Sequence, residues 1–324
     1  MNDLDTADGA GQLSARLELA LDDDAIPLDP LAGESPRSRA DAFRTLLTIH
    51  DLWTAPLELI GGRERHQGHP AVAALKARLE AGFEAELDAA VDDGELRSTD
   101  AVAALRRIVR HRDDAVYDWL AEEASLDELV AFMAVEGGPD GGFDDLVATC
   151  QIGLRGAPKV VLGANYWDEM GRGDVDAVHT RLHDRLVEAV GLTRVERTHL
   201  PTEALERMAL NGLLATNRRL QPEMLGALGL VELQAGARCR QVVRALIRTG
   251  APADALPFYE EHAEADPRHA KEWLDGVIAP LTAERPEWAP RIVRGALWRR
   301  EVDRRLFAVL TPDAAERAPT ASTG

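Results

Sequence analysis

Two histidines and an aspartate lie on one stretch in the last quarter of the chain, at a spacing that could bind a metal ion. His262, Asp266 and His269 occupy positions i, i+4 and i+7. On an α-helix this spacing places the three side chains on one face, where they can surround a cation. The alternative is a solvated acidic helix that carries two histidines by chance. The stretch predicts a metal site only if other helices supply matching ligands.

A four-helix dimetal-carboxylate site takes one carboxylate from each of two helices and a carboxylate-x-x-histidine pair from each of the other two. Asp266 and His269 form one such pair, and Asp176 and His179 form another. Glu232 is a candidate for a single carboxylate because its neighbours are apolar residues and glycine. A buried carboxylate there must be paired, protonated or bound to metal.

Glu136 is a second candidate for a single carboxylate, since it follows the apolar run 130–135. Each candidate also has a structural explanation: Glu136 could be a partly exposed helix end, and Glu232 could pair with Arg238 or Arg240. Carboxylate and imidazole ligands without thiolate suit iron or manganese, whereas structural zinc more often has cysteine ligands. Two such ions can share the electrons needed to reduce O2, so the ligand set indicates redox chemistry.

These motifs, together with the upstream run 165–173, resemble the haem-oxygenase-like diiron oxidases, a superfamily also called iron-containing redox enzymes. The resemblance covers about residues 120–285. It implies an all-α, haem-oxygenase-like helical bundle that binds two iron ions and uses O2 as co-substrate. Carried over residue by residue, it implies seven metal ligands, with Glu136 as the alternative to the first: Glu169, Asp176, His179, Glu232, His262, Asp266 and His269.

The sequence departs from the family pattern at two places. Asp176 stands where glutamate is more usual, which shortens the reach of the ligand by one methylene group. Pro267 lies between two proposed ligands, removes a backbone donor and disfavours helical dihedrals at Asp266. Asp266 could therefore be a helix N-cap with proline in the first turn, although a kink there would still keep the three ligands close together.

Gly171 and Gly173 interrupt the helical pattern between Glu169 and His179. Each glycine weakens a helix by about 1 kcal/mol, and acidic residues crowd negative charge beside them. We therefore expect this segment to be poorly ordered without metal and to become helical when cations neutralise it.

The resemblance implies an O2-dependent non-haem diiron oxidoreductase that acts on a small molecule with an external electron donor. Its outcomes include N-oxygenation, desaturation, cyclisation and oxidative C–C cleavage, and the narrower expectation is an amino acid in natural-product biosynthesis. Weak candidates for binding a substrate carboxylate are Arg155, Lys159 and Arg172. The alternative function is a ferritin-like iron-binding protein, or a structural helical protein without oxygenase activity.

Long runs rich in alanine, leucine, glutamate and arginine dominate the chain, and no alternating β-branched pattern occurs, so we expect an all-α fold. Residues 1–36 are expected to form a flexible N-terminal arm with one short helix, and residues 313–324 a frayed tail. Between them, residues 37–312 form one helical domain with extra N-terminal helices and a metal-binding core over about 120–285. A helix break is expected near Gly236.

The 324-residue chain carries a net charge of −19, which argues against a nucleic-acid backbone or an anionic membrane as partner. No apolar run is long enough for a transmembrane helix, and the acidic N-terminus does not fit a secretory signal, so we expect a cytoplasmic protein. Cys150 and Cys239 are too few for a disulfide framework. The protein could form a homodimer.

Overall fold

A computed structural model describes residues 11–91, 93–96, 98–110, 115–136 and 142–311. Within these ranges the chain forms helices and turns without a β-strand, which confirms the all-α prediction. The α-helices are α1 (Leu13–Asp22), α2 (Arg39–Thr54), α3 (Leu57–Ile60), α4 (Pro70–Ala90), α5 (Asp93–Leu96), α6 (Ala101–Arg110), α7 (Ala115–Glu122), α8 (Leu126–Glu136), α9 (Phe143–Cys150), α10 (Gly156–Glu169), α11 (His179–Val190), α12 (Thr202–Ala215), α13 (Gln221–Thr249), α14 (Pro257–Glu272), α15 (Ala279–Glu284) and α16 (Trp288–Leu310).

The long helix α13 lies at the centre of the bundle and packs along both α14 and α16. Its first half is buried almost all round, and it forms part of the main hydrophobic core with α2, α4, α6, α9, α12 and α16. Its second half belongs to a second core with α7, α8, α11 and α14. Glu232 and Gly236 lie on α13 between the half that belongs to the first core and the half that belongs to the second.

Two glycines allow the backbones of α13 and α16 to touch where the helices cross. A Cβ atom on Gly226 would overlap the carbonyl oxygen of Ile292, and one on Gly295 would overlap the carbonyl oxygen of Glu223. Only residues without a side chain permit such an approach. The two glycines therefore bring the helix that carries Glu232 into direct contact with α16.

The expected break in α13 near Gly236 is absent, because the helix continues through this residue to Thr249. Gly236 instead gives space to the neighbouring helix, since a Cβ atom on it would lie 3.0 Å from Cδ of Pro267 and 3.3 Å from Cβ of Asp266. The glycine of α13 thus faces the proline of α14.

The region predicted as a flexible arm is folded from residue 11 onwards. Helix α1 buries Leu13, Leu17 and Leu21 against α2 and α4 in a third hydrophobic core. Asp41 on α2 accepts hydrogen bonds from the backbone N–H groups of Leu13 and Ser14 and so caps the N-terminus of α1. Leucines four residues apart give α1 an apolar face, and α1 corresponds to the one short helix that was expected in this arm.

The predicted frayed tail, residues 313–324, lies outside the described residues. Along the part of the chain that is described, each helix is either too short or too polar to cross a membrane.

Candidate metal centre

The end of α10 provides two adjacent buried carboxylates. Glu169 is the last residue of the helix and is 4% exposed, and Asp168 is 6% exposed. One turn earlier, the buried Asn165 donates from Nδ2 to Glu232 Oε1 at 2.9 Å. The same face of α10 therefore directs a carboxylate into the cluster and orients a second carboxylate on α13.

After Glu169 the chain turns sharply, so the helical Asp-x-x-His pair predicted at residues 176–179 does not form. Two 3-10 turns, Gly171–Gly173 and Val175–Ala177, replace the helix, and α11 begins only at His179. Gly171 has φ +60°, and a Cβ atom there would fall 2.6 Å from the backbone of Ala177. This close approach folds the segment back on itself and brings His179 beside Glu169.

As a result, the structure places Asp176 away from the cluster. Its side chain is exposed, its backbone N–H donates to Asp174 Oδ1, and its carbonyl accepts from Arg185. The interpretation of Asp176 and His179 as a carboxylate-x-x-histidine pair assumed that both residues lie on one helix, and the turns that follow Gly171 remove that condition.

Helix α14 presents His262, Asp266 and His269 together, all buried, as their spacing predicts. Asp266 is not an N-cap, because the helix runs from Pro257 to Glu272 with Pro267 inside it. A proline within a helix leaves the carbonyl four residues earlier without its usual donor. Here Arg240 of α13 donates to that carbonyl, on Ala263, at 3.2 Å, which explains how the helix continues through the proline.

Two overlapping groups of ligand atoms could each hold a cation. In one group the ligands are Glu169, His179 and His262, and in the other they are Glu169, Glu232 and His269. Within each group the ligand atoms all lie within 4.8 Å of one another. Glu169 is common to both groups, which is the arrangement expected of a carboxylate that bridges two metal ions.

The histidine rings are oriented as metal ligands by hydrogen bonds on their far sides. His262 Nδ1 donates to the carbonyl of Phe258 at 2.7 Å, which leaves Nε2 with a lone pair. His269 Nε2 donates to Asp168 Oδ2 at 2.9 Å, while its Nδ1 lies 3.5 Å from Glu232 Oε2 and 3.6 Å from Asp266 Oδ1. A carboxylate behind a histidine fixes the ring and raises its basicity as a ligand.

The unsatisfied polar atoms of the cluster fit this interpretation. His179 Nε2, His269 Nδ1 and Asp266 Oδ2 are buried and make no hydrogen bond with the described protein. A buried polar atom without a partner is costly, and cations held by the two ligand groups would satisfy the two histidine nitrogens. Carboxylates with imidazoles suit iron or manganese, so the donor set fits the iron that the sequence resemblance implies.

The shifted pKa values of the histidines and of Asp266 indicate how the charges of the cluster are balanced when no cation is bound. Burial opposes a charged His269, but contacts with Asp266 and Glu232 raise its pKa well above the ordinary value. Burial also raises the pKa of Asp266. At His179, burial is again outweighed, because the adjacent Glu169 raises the pKa of the imidazole. Protons thus take the place of cations, and a metal ion must displace them.

A cavity of about 80 Å³ adjoins the cluster, and Glu169, Glu232, His262 and Asp266 form part of its wall. The rest of the wall comes from α7, α8, α9, α12, α13, α14 and α16, and it includes several aromatic residues and three arginines. The cavity gives a small molecule access to the ligand atoms.

The other predicted candidates lie around this site or outside it. Glu136, the last residue of α8, lines the cavity and accepts from Arg207 at 3.0 Å, and it belongs to neither ligand group. Lys159 on α10 and Arg155, which directly precedes this helix, are both exposed. Arg172 is exposed as well, but it contacts Asp168 at 3.5 Å and Glu261 at 3.1 Å at the rim of the cluster.

From the sequence, no role was assigned to Asp168, Arg207 or Arg299, and Arg238 was considered only as a pairing partner of Glu232. Asp168 precedes Glu169 directly, and adjacent helical residues point about 100° apart, so helical spacing does not indicate that both face the site. Arg207, Arg238 and Arg299 come from three different helices and share no local motif. Tertiary packing alone brings these residues to the site.

The family model of iron-containing redox enzymes matches residues 139–304, about half of the chain. The matched region contains every residue of the two ligand groups, and it ends within α16. No curated protein matches the chain. Together with the helical architecture, the family match confirms the expected all-α, haem-oxygenase-like fold.

Proposed function

We propose, from the premise that the chain belongs to the iron-containing redox enzyme family, that it is an O2-dependent non-haem diiron oxidoreductase acting on a small molecule. One observation carries the proposal: Glu169 belongs to two adjacent groups of buried carboxylate and histidine ligands. When bound, the iron ions would supply the electrons that activate O2.

The residues of the chain have distinct tasks in this proposal. Glu169 would bridge two ions, with His179 and His262 on one side and Glu232 and His269 on the other. Asp266 lies beside the second group and could add a further carboxylate oxygen. His262 donates to the carbonyl of Phe258 and His269 donates to Asp168, and these hydrogen bonds hold the two rings in place, so little reorganisation accompanies binding.

The cavity supports an oxidative reaction on an organic substrate. Its wall combines ligand residues with Phe132, Phe143 and Phe258, so a bound molecule would displace water from the reacting atoms. The proposed outcomes are N-oxygenation, desaturation, cyclisation or C–C cleavage, with an amino acid in natural-product biosynthesis as the narrower proposal. Electrons to reset the iron would come from an external donor.

The test is anaerobic reconstitution with Fe2+, followed by metal analysis and rapid mixing with O2. We expect about two irons per chain in the wild type, fewer than one in Glu169→Ala, and an unchanged content in the matched control Glu264→Ala. Glu264 is an exposed acid on α14. His262→Ala should lose iron and O2 consumption.

Three results would contradict the proposal. Equal iron uptake by the wild type and Glu169→Ala would remove the bridging role of Glu169. Equal uptake and O2 reaction by the wild type and His262→Ala would remove His262 from the site. An iron load far above two per chain would indicate the alternative, a ferritin-like storage protein.

A further inference from the structure

The solvent-facing side of α10 carries no acidic side chain. The two carboxylates of this helix, Asp168 and Glu169, are both buried, and its exposed residues are apolar, glycine or lysine. The chain as a whole has 56 acidic and 37 basic residues and a net charge of −19. A helix face without an exposed acid is therefore a place where this protein can attract a negatively charged partner.

The centre of this face is apolar. Val160, Ala164 and Trp167 are exposed at positions i, i+4 and i+7, so they form one stripe along the helix, named here the α10 stripe. Val160 is 71% exposed and Trp167 is 54% exposed. Apolar side chains that are grouped on one exposed face, and not scattered singly, indicate a site of interaction with another molecule.

Positive charge lies at the N-terminal end of the α10 stripe. Lys159 is exposed beside Val160, and Arg155 is exposed at the position directly before the helix. The first N–H groups of α10 add to this charge, because the dipole of a helix is positive at its N-terminus. The N-terminal end is therefore the cationic end of the α10 stripe.

At the C-terminal end of the α10 stripe, positive and negative side chains offset one another. Arg172 contacts Glu261 at 3.1 Å, and Arg268 contacts Glu272 at 3.8 Å. Both arginines are half-exposed. The face as a whole thus combines a cationic end with an apolar centre, and this combination complements an acidic protein surface.

The opposite side of α10 belongs to the candidate metal centre. Trp167 and Glu169 are two residues apart, which places their side chains about 200° apart around the helix. Asp168, which is bonded directly to Trp167, accepts from His269 Nε2 at 2.9 Å. One residue and one hydrogen bond therefore separate the exposed Trp167 from a candidate ligand of the metal.

The α10 stripe is separate from the wall of the cavity, to which α10 contributes only Glu169. A protein that binds the stripe is therefore poorly placed to deliver a substrate, and it leaves the cavity free. It is well placed to deliver an electron, because electron transfer falls off steeply with distance and needs no opening to the interior.

We propose that the α10 stripe, with Lys159 and Arg155 at its cationic end, binds a small acidic electron-transfer protein. The inference rests on the proposed function, because it assigns a chemical class and a binding surface to the external electron donor. The reduced centre of the carrier loses one electron and one Fe3+ ion becomes Fe2+, so two such transfers restore the two-iron site. A small surface suits this class, since weak electron-transfer complexes bury less than about 1,200 Å².

A second copy of the chain is the alternative occupant of the α10 stripe. In a symmetric contact the same face of each copy meets the other. Because the exposed side of α10 has no acid, it offers no partner on this helix for Lys159 and Arg155 of the other copy. An acidic carrier supplies such partners, and the negative charge elsewhere on the protein disfavours other binding positions for it.

The binding test uses the metal-free full chain and a plant-type 2Fe–2S ferredoxin as the acidic carrier. With titration calorimetry at about 20 mM and about 300 mM NaCl, we expect the Kd to rise at least about tenfold with salt, because salt screens exposed charges. Lys159→Glu should weaken binding at the lower salt concentration at least about fivefold. Arg78→Glu, the same charge reversal at an exposed arginine of α4, is the matched control and should leave the Kd unchanged.

A second substitution tests the apolar part of the surface. Val160→Asp removes an apolar contact and adds a charge of the same sign as the carrier, so it should weaken ferredoxin binding at both salt concentrations. Val309→Asp, at an exposed valine of α16, is the control and should bind ferredoxin as the wild type does. The melting temperature of each variant shows that it is folded.

Electron transfer is measured with the iron-loaded, oxidised protein by following the oxidation of reduced ferredoxin without O2. Lys159→Glu should slow this reaction at least about fivefold at ferredoxin concentrations below the Kd, because fewer complexes form. Reduction by dithionite, which needs no protein-binding surface, should proceed equally in the wild type and Lys159→Glu. Arg78→Glu should match the wild type with both reductants.

Three outcomes would overturn the inference. The first is a wild type that does not bind ferredoxin, and the second is an equal Kd for Lys159→Glu and Arg78→Glu. The third is a wild-type dimer that Val160→Asp converts to a monomer, which would show that a second copy covers the α10 stripe. Failure of the proposed function is distinguishable, because iron or O2 consumption would be absent while ferredoxin still bound the metal-free protein.

Discussion

Asp168 lies between the half-exposed Arg268 and the buried His269 of the candidate metal centre. Its Oδ2 atom accepts from His269 Nε2 at 2.9 Å and from Arg268 at 2.6 Å. Burial works to raise the pKa of Asp168, but contacts with His269 and Arg268 lower it below the ordinary value, so the group is an anion at neutral pH. Asp168 is therefore a positioning residue for His269.

Removal of this carboxylate should weaken metal binding without removing a ligand. Asp168→Ala leaves the ring of His269 without its anchor, and we expect about 10- to 100-fold weaker Fe2+ affinity, as for other carboxylates behind a ligating histidine. Anaerobic titration with a competing chelator measures the change. Asp184→Ala, on the exposed face of α11, is the control. Unchanged Fe2+ affinity in Asp168→Ala would show that His269 needs no such support.

At the same scale, the sequence predicted which residues share a helix face where their positions depend on helical spacing alone. His262, Asp266 and His269 share one face of α14 because the spacing i, i+4, i+7 already requires it. Asp176 was paired with His179 by the same rule, but the rule holds only within one helix. The positive φ values of Gly171 and Gly173 end α10, and they depend on the packing of the turn, which a local pattern does not contain.

Helix α13, which carries Glu232, is in backbone contact with α16 where the two helices cross. Gly226 lies at the backbone contact with Ile292, so Gly226→Ala would force the two helices apart. We expect a loss of about 3 kcal/mol in the free energy of unfolding, measured with urea. Gly82→Ala is the control, since a Cβ atom on Gly82 meets nothing within 4 Å.

The two glycine-to-alanine substitutions should therefore change the free energy of unfolding in opposite directions. Gly82→Ala removes a flexible residue from the exposed face of α4 and should raise the free energy of unfolding by up to about 1 kcal/mol. A Gly226→Ala variant as stable as the wild type would mean that the helices can separate at little cost.

Metal binding should reduce the mobility of the segment between α10 and α11, which hydrogen exchange can detect. Glu169 and His179 lie at its two ends, and its turns rest on local contacts such as the one between Asp174 and the backbone of Asp176. Cation binding fixes both ends and offsets the acidic charge between them. We expect hydrogen exchange over residues 170–178 to slow when Fe2+ is added without O2, with α4 unchanged. Equal protection with and without iron would contradict the expectation.

For the whole molecule, the candidate metal centre lies where the two large hydrophobic cores meet. Its candidate ligands come from α10, α11, α13 and α14, and α13 belongs to both cores. A ligand that binds only the folded state stabilises all of it, by about 2.7 kcal/mol at 100 times the Kd. Anaerobic Fe2+ should therefore raise the melting temperature of the wild type and leave that of Glu169→Ala unchanged. The same shift in both proteins would point to nonspecific binding.

The buried carboxylate of Asp41 on α2 binds the N-terminus of α1. Asp41 is fully buried and accepts from Leu13 N at 3.0 Å, from Ser14 N and Oγ at 2.9 and 2.7 Å, and from Arg37 N at 2.8 Å. Burial works to raise its pKa, but these hydrogen bonds lower it below the ordinary value. The stabilisation from Asp41 is therefore present above the unfolded pKa of about 3.9 and is lost as the pH falls through the folded pKa.

Asp41→Asn should thus destabilise the protein in a pH-dependent way. Near neutral pH we expect a loss of about 1–3 kcal/mol in the free energy of unfolding, because the amide replaces a charged acceptor of four hydrogen bonds. Below about pH 4 the carboxylate becomes protonated first in the unfolded chain, so the difference in stability between the wild type and the variant should narrow as the pH falls further. Urea unfolding of the wild type and the variant between neutral pH and about pH 3 measures this difference in stability. Asp29→Asn, at an exposed position, is the control. A difference that is constant with pH would mean that packing, and not the charge of Asp41, attaches α1 to the bundle.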